Sequence, residues 1–416
     1  MMPQQSLAYI DTIIEKESLI IEFQPILSLK LKKSVGVEAL CRGIHPDTGD
    51  IIPPIRLFED AAKHGKTLEL DRLCRKIAML EFKKLKQSDD IVLFLNFDPK
   101  VLDISYSQDK TWTKVFADEA GLKYNNIAVE ITESQIENNY KLEQISEKYS
   151  ALGMFVVLDD FGALHSNLNR LIISRPDIIK IDRQLIRNVS ESYYQQSIIK
   201  SIIDLAKKIG SLTLAEGVET KEDVLKCHEL GADLFQGFYF ARPQNIDRLE
   251  TLDIKPLVEM ISYDVKDYMS ANIEARKNQY KKFEETFNKV LAFMGDCKDQ
   301  CSFHAKIGEA IKLNSEIECI YVLDHKGVQL SDTICGYEID FSDNNLFHPS
   351  KRGTDHSLKE YFYYISNLNL NSYYTDPYIS LATGLLCRTM ARKFECNGYQ
   401  HVLCIDFIDK KACELN

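Results

Sequence analysis

Between Ile20 and Phe240 the chain repeats one texture: a short run rich in β-branched residues, then a longer amphipathic stretch. The runs are Ile20–Ile26, Val35–Leu40, Val92–Asn96, Ile127–Ile131, Phe155–Asp159, Ile178–Ile181, Leu212–Glu216 and Leu234–Gln236. Asp71–Lys86, Tyr140–Leu152, Gln195–Ile209 and Lys221–Leu230 have helical periodicity between them. Strand-then-helix units repeated about eight times over roughly 240 residues predict an α/β fold, a (β/α)₈ barrel of the TIM type. A doubly wound open sheet is the structural alternative.

The ends of these strands carry the chemistry. Glu38 closes the second run, Asn96 the third, Glu130 the fourth, Asp159-Asp160 the fifth, Lys180 and Asp182 the sixth, Glu216 the seventh and Gln236 the eighth. In a (β/α)₈ barrel those ends converge on one mouth. Any one of them alone reads as a solvated strand end; their shared phase does not. Carboxylates crowded together repel unless cations neutralise them, so the set predicts bound metal. Oxygen ligands without Cys or His suit Mg²⁺ or Mn²⁺ rather than zinc. Two such ions about 4 Å apart fit metal-assisted hydrolysis of a phosphate ester.

The bulk properties agree with a globular enzyme and narrow its partners. A net charge of −11 over 416 residues argues against duplex nucleic acid as a ligand, but not against a small anion held through cations. No apolar run is long enough for a membrane span, and the polar N-terminus does not fit a secretory signal. The eleven cysteines include no C-x-x-C pair, and Cys297 and Cys301 lack partners for a structural zinc. Unpaired thiols lead us to expect a cytoplasmic protein.

Seven further blocks join Glu38-Ala39-Leu40: Gln24-Pro25-Ile26, Asn96-Phe97-Asp98-Pro99, Glu130-Ile131-Thr132-Glu133, Asp159-Asp160-Phe161-Gly162, Lys180-Ile181-Asp182, Glu216-Gly217-Val218-Glu219-Thr220 and Gln236-Gly237-Phe238-Tyr239-Phe240. In this order and spacing they resemble the EAL family of cyclic di-GMP phosphodiesterases over roughly residues 5 to 250. The resemblance implies that Glu38, Asn96, Glu130 and Asp159 ligate one metal ion. Asp159 bridges to a second, held with Asp160 and Glu216, while Gln236 orders a coordinated water. Lys180 meets the attacking water or the phosphate, and with Glu216 and Glu38 makes up the catalytic set. Gln24, Leu40, Arg42, Asp182 and Gln236 face the substrate. Glu133, as a loop anchor, and Glu219 support the site from behind. The implied reaction opens cyclic di-GMP to linear pGpG.

One block departs from the family. After Asp-Asp-Phe-Gly this chain runs Ala163-Leu164-His165-Ser166-Asn167 in place of Thr-Gly-Tyr-Ser-Ser. Leu164 cannot take a positive φ as cheaply as the glycine it replaces. Two readings therefore stand: an active enzyme regulated by the C-terminal part, or a weak or inactive receptor that binds cyclic di-GMP and signals.

Beyond the barrel the texture changes. Leu257 to Met294 holds neither Gly nor Pro, and Tyr280, Phe283, Phe287, Val290 and Met294 form a helical stripe, so 256–295 is expected to be a linking helix and a seam for a homodimer. The barrel is assigned 1–255 and the remainder 296–416. There Ile317–Leu323, Tyr378–Ile379, Leu385–Phe394 and His401–Phe407 read as strands, Val328–Leu330 as a returning strand, and Asp355–Ile365 as a helix. This resembles a small α+β PAS- or Cache-like domain. Its aromatics, Tyr361 to Tyr364 with Tyr373 and Tyr374 among them, are candidates either for a small-molecule pocket or for plain core.

Overall fold

The fold is taken from a computed structural model, which describes residues 4–97, 111–132, 139–163, 167–295, 302–336 and 346–409. They form two compact units, Met1–Met269 and Ser270–Asn416.

In the first unit, α1 (Gln4–Glu15) precedes β1 (Leu19–Ser28) and β2 (Lys33–Ile44). The short β3 (Ile51–Ile52), α2 (Pro54–Lys63) and α3 (Thr67–Lys83) lead to β4 (Val92–Phe97). Then α4 (Trp112–Ala120), β5 (Ile127–Thr132), α5 (Asn139–Ala151), β6 (Phe155–Phe161), α6 (Asn169–Ser174) and β7 (Ile178–Ile181) alternate. After them come α7 (Arg183–Ile186), α8 (Tyr193–Ile209), β8 (Leu212–Ala215), α9 (Lys221–Leu230), β9 (Leu234–Phe235) and α10 (Ile246–Thr251). Helices α8 and α9 start where side chains cap them: the Ser192 hydroxyl accepts from the Gln195 amide, and that of Thr220 from the Asp223 amide.

Strands run β1-β9-β8-β7-β6-β5-β4-β2, and β1 pairs with β2 to close an eight-stranded barrel, with β3 attached to the edge of β2. The expected barrel is present, with one difference at its start. β1 is antiparallel to both its neighbours, β2 and β9, whereas β2 and β4 through β9 pair in parallel. Only Leu29 to Lys32 join β1 to β2, and a parallel pair needs a crossover of about a dozen residues.

Side chains two apart on a strand share a face. Ile26, Phe94, Ala128, Val157, Ile178, Leu214 and Leu234, from seven of the strands, pack together as an apolar plug inside the barrel. On the eighth, β2, Gly36 leaves room for the Phe94 ring: a Cβ there would come within 2.7 Å of it. The outer faces bury larger layers, such as Val129, Ile131, Leu142 and Tyr149, beneath the helices.

Helix α11 (Lys255–Gly295) contributes to both units. Val258, Ile261 and Val265 join the apolar layer of the first, and Phe283, Phe287, Val290 and Met294 the core of the second. Among the described residues no helix is long and apolar enough to cross a membrane.

The second unit adds α12 (Phe303–Ala310), β10 (Ile317–Leu323), β11 (Ile334–Cys335), α13 (Glu360–Asn367), β12 (Ser372–Tyr374), β13 (Tyr378–Ile379), β14 (Leu386–Cys396) and β15 (Tyr399–Ile408). Its sheet runs β11-β10-β15-β14-β12, antiparallel throughout, with β13 also on β14. Two expectations are corrected here. Val328–Leu330 does return beside β10, Leu330 N donating to Val322 O at 2.8 Å, but only through an isolated antiparallel bridge of Gln329 with Leu323 and not as a strand of its own. The helix starts at Glu360 rather than Asp355, whose carboxylate instead accepts from the Ser357 amide in a turn. Cys297 and Cys301 lie outside the described residues.

Candidate active site

The site stands one strand-step above the apolar plug. Moving two residues along from Gly36, Phe94, Ala128, Val157, Ile178, Leu214 and Leu234 reaches Glu38, Asn96, Glu130, Asp159, Lys180, Glu216 and Gln236. On the antiparallel β1 the same level is reached two residues back from Ile26, at Gln24, which the register sets opposite Glu38. A single period-two rule therefore aims eight polar side chains into one mouth.

Lys180 is the centre of this ring and is fully buried. Its Nζ lies 3.0 Å from Glu130, 3.1 Å from Asp159, 3.6 Å from Glu38 and 3.8 Å from Glu216. Around it runs a chain of amides. Asn96 Nδ2 donates to Glu38 Oε1 at 2.7 Å, Gln236 Nε2 donates to Glu38 Oε2 at 2.6 Å and to Gln24 Oε1 at 3.1 Å, and Gln24 Nε2 donates to Ala241 O at 3.0 Å. Glu38 is thus gripped from both sides.

Five carboxylates (Glu38, Glu130, Asp159, Asp160 and Glu216) share this one ammonium. Two like charges 4 Å apart repel by about 4 kcal/mol at an effective dielectric of 20, so they cannot all ionise in a metal-free site. Burial, then the charges of Glu38 and Asp159, push the Glu130 carboxyl well above its usual range. Burial first, with Asp159 beside it, raises Asp160 to about 6. Glu216 rises to about 8, again chiefly by burial. Burial also disfavours the Lys180 ammonium, but Asp159, Glu130, Glu216 and Glu38 outweigh it and hold that group well above the usual lysine range. For Glu38 burial is opposed by Lys180 and by the Gln236 and Asn96 hydrogen bonds, and its carboxyl stays below the usual range.

The donor set fits a divalent cation. Carboxylate oxygens of Asp159, Asp160 and Glu216 lie within 4.8 Å of one another. Glu130 Oε2 is buried without a hydrogen-bond partner, and Glu130 Oε1 and Glu216 Oε2 face the Lys180 ammonium at 3.0 and 3.8 Å. Asp160 takes a left-handed φ of 56°, and Gly162 follows at 98°, a sharp turn at the end of β6. Gly237 does similar service beyond β9: a Cβ there would come within 2.1 Å of Val218 O, so only glycine lets the loops bearing Glu216 and Gln236 approach.

The other sequence-derived residues fall into place less uniformly. Arg42 pairs with Glu22 at 3.1 Å. Leu40 lines a groove of about 510 Å³ with Glu38, Phe58, Arg75 and Asn96. Asp182 caps α7, its Oδ1 accepting from the Gln184 amide at 2.8 Å. Glu219 forms an ion pair with Arg183 and does not join the ring. Glu133, Leu164 and His165 lie outside the described residues.

Sequence reading missed α2, which supplies Pro54, Ile55 and Phe58 to the groove, although Pro53-Pro54 before an amphipathic run was a legible helix start. It also missed a buried ion pair, Asp71 with Arg75, whose guanidinium lies 4.2 Å over the Phe97 ring at the end of β4. The i,i+4 spacing of the pair on a helix was legible, but its burial was not.

A family model described as "EAL domain" matches residues 8–243. A protein of Escherichia coli (strain K12) named "Probable cyclic di-GMP phosphodiesterase PdeI" is 32% identical over 235 residues, which are 55% of this chain and 29% of that protein. The EAL-domain protein YkuI of Bacillus subtilis (strain 168) is 23% identical over 397 residues, 92% of this chain and 93% of its own length. The crystal structure of YkuI, in complex with cyclic di-GMP and calcium, covers 98% of this chain and 99% of its own at a TM-score of 0.79 and 23% identity, and shows the shared fold. Klebsiella pneumoniae BlrP1, in a calcium and cyclic di-GMP complex, is 27% identical with a TM-score of 0.50, covering 59% of this chain and 58% of its own. The chain thus spans under a third of the E. coli relative but nearly all of the B. subtilis one.

Proposed function

Because the chain belongs to the EAL-domain family, matched over residues 8–243, we propose that it is a metal-dependent phosphodiesterase that opens cyclic di-GMP to linear pGpG. The observation that carries this reading is the ring of five carboxylates around the single ammonium of Lys180, with a buried Glu130 oxygen that no hydrogen bond satisfies. Glu38, Asn96, Glu130 and Asp159 would hold one Mg²⁺ or Mn²⁺, and Asp159, Asp160 and Glu216 a second. When bound, such ions neutralise the phosphate and acidify a water.

The chain's own residues do the rest. In the reaction a water oxygen bonds to phosphorus, the bond from phosphorus to ribose O3′ breaks, and O3′ takes up a proton. Lys180 Nζ, braced by Glu130 and Asp159, presents its protons to the water or a phosphate oxygen. Glu216 would receive the water's proton, and Glu38 accepts from Asn96 and Gln236 on either side. Leu40 and Gln24 offer an apolar wall and an amide to base or sugar, and Arg42 exchanges Glu22 for a ligand phosphate. The C-terminal 296–416 segment is read as a PAS- or Cache-like regulatory domain after the 256–295 helix; its antiparallel sheet with flanking helices supports that reading.

A receptor that binds without cleaving is favoured by one observation, the replaced sequence Ala163 to Asn167 next to Asp160. Steady-state conversion of cyclic di-GMP, followed chromatographically with Mg²⁺, Mn²⁺ or chelator, separates the two. Metal-dependent pGpG is expected; tight binding with no product under any cation would replace the enzyme with the receptor.

A further inference from the structure

The wall of the groove holds a pair of thiols that hydrolysis does not use. Cys41, on β2 directly after Leu40, and Cys74, on α3, place their Sγ atoms 3.0 Å apart. Neither is in a disulfide. Cys41 is half-buried and Cys74 buried, and both line the groove shared with Glu38 and Leu40. Side chains alternate along β2, so Cys41 turns away from the face of Leu40 and Arg42, towards α3. The thiols are brought together by tertiary packing of a strand on a helix.

We propose that Cys41 and Cys74 are a peroxide-sensitive dithiol, in which Cys41 is oxidised by a hydroperoxide entering along the groove and is resolved by Cys74 to a disulfide. In the first step the Cys41 thiol gives up its proton, its sulfur bonds to the terminal peroxide oxygen, the O–O bond breaks, and the departing hydroxide or alkoxide takes up that proton and leaves as water or an alcohol; Cys41 becomes a sulfenic acid. In the second, Cys74 sulfur bonds to Cys41 sulfur, the S–O bond breaks, and the Cys74 proton leaves with that oxygen as water. The two electrons lost by the thiols are those gained by the peroxide. The sulfurs must close from 3.0 Å to a bond of about 2.05 Å, a movement of roughly 1 Å. Contact with Cys41 first, and burial second, keep Cys74 protonated, so the half-exposed Cys41 is the group that meets the oxidant. The cross-link ties β2, one residue beyond Leu40, to α3 and fixes one wall of the groove.

Oxidation of the two thiols is read covalently and without turnover. The full chain is treated with hydrogen peroxide, quenched by alkylation and mapped by non-reducing peptide mass spectrometry. The expected result is a Cys41–Cys74 linked peptide with loss of both free thiols, reversed by a thiol reductant. In the Cys74→Ser variant the same dose leaves Cys41 as a sulfenic acid that dimedone traps. Recovery of Cys41 and Cys74 as separately alkylated peptides, at a dose that oxidises other cysteines of the chain, would overturn it. So would Cys41 advancing to sulfinic acid in the wild-type chain while Cys74 stays free.

Discussion

Lys180 and the carboxylates around it set the behaviour of the site at the scale of single residues. Asp159 touches Lys180 at 3.1 Å and belongs to the cluster with Asp160 and Glu216. Asp159→Ala should reduce turnover by at least about 10²–10³-fold, the usual cost of losing one preorganised electrostatic group, while circular dichroism of the barrel is unchanged; near-normal turnover would remove Asp159 from the metal site. The pH dependence of stability follows from Asp160 and Glu216, raised to about 6 and about 8 from 3.8 and 4.5. Both bind a proton more tightly folded than unfolded. Their contribution is therefore fully present below pH about 4 and is lost as pH rises to about 8. Melting with chelator should show a fall of several degrees across the upper part of that window, and excess divalent cation should reverse it most at the alkaline end. A chelated protein equally stable at both ends would contradict this.

Elements explain why the ring was legible in sequence. A polar residue two positions after an inward apolar one is a local pattern, as in Phe94-Leu95-Asn96 and Ile178-Ile179-Lys180, and the strand period alone carries it into the mouth. Strand direction is not local. Nothing in Ile20–Ile26 marks β1 as antiparallel except the shortness of Leu29 to Lys32, and that also decides why Gln24, in mid-strand, reaches the ring. Groove walls were legible only in part: Leu40 sits in the motif, whereas Phe58, Arg75 and Cys74 arrive through packing of α2 and α3. In the second unit β12 was hidden because Ser372–Tyr374 is three residues long and lies between turn-like residues, Asn371 before it and Thr375-Asp376-Pro377 after. The same sheet carries a buried carboxyl, Asp406 on β15, which burial pushes up to about 7 although Thr389 Oγ1 donates to it at 2.7 Å. A raised carboxyl costs stability above its folded pKa. Asp406→Asn, which keeps an acceptor for Thr389, should raise the melting temperature of this domain at about pH 8 by a few degrees and change it little at about pH 5. An equal shift at both would mean that charge is not the cause.

At the scale of the molecule, two units with separate apolar cores share one helix, α11. Separate cores predict two calorimetric transitions, of which only the barrel's moves with divalent cation, since a ligand stabilises the unit that binds it. A single transition shifting as a whole would show that the units unfold together. The proposed chemistry belongs to the barrel alone. The most direct test is a single-turnover experiment, with protein in excess over cyclic di-GMP and Mg²⁺ or Mn²⁺ present, so that even a slow enzyme consumes what it binds. The predicted result is complete conversion of bound ligand to pGpG, halted by chelator. Ligand that stays bound and cyclic throughout, with cation present, would contradict hydrolysis.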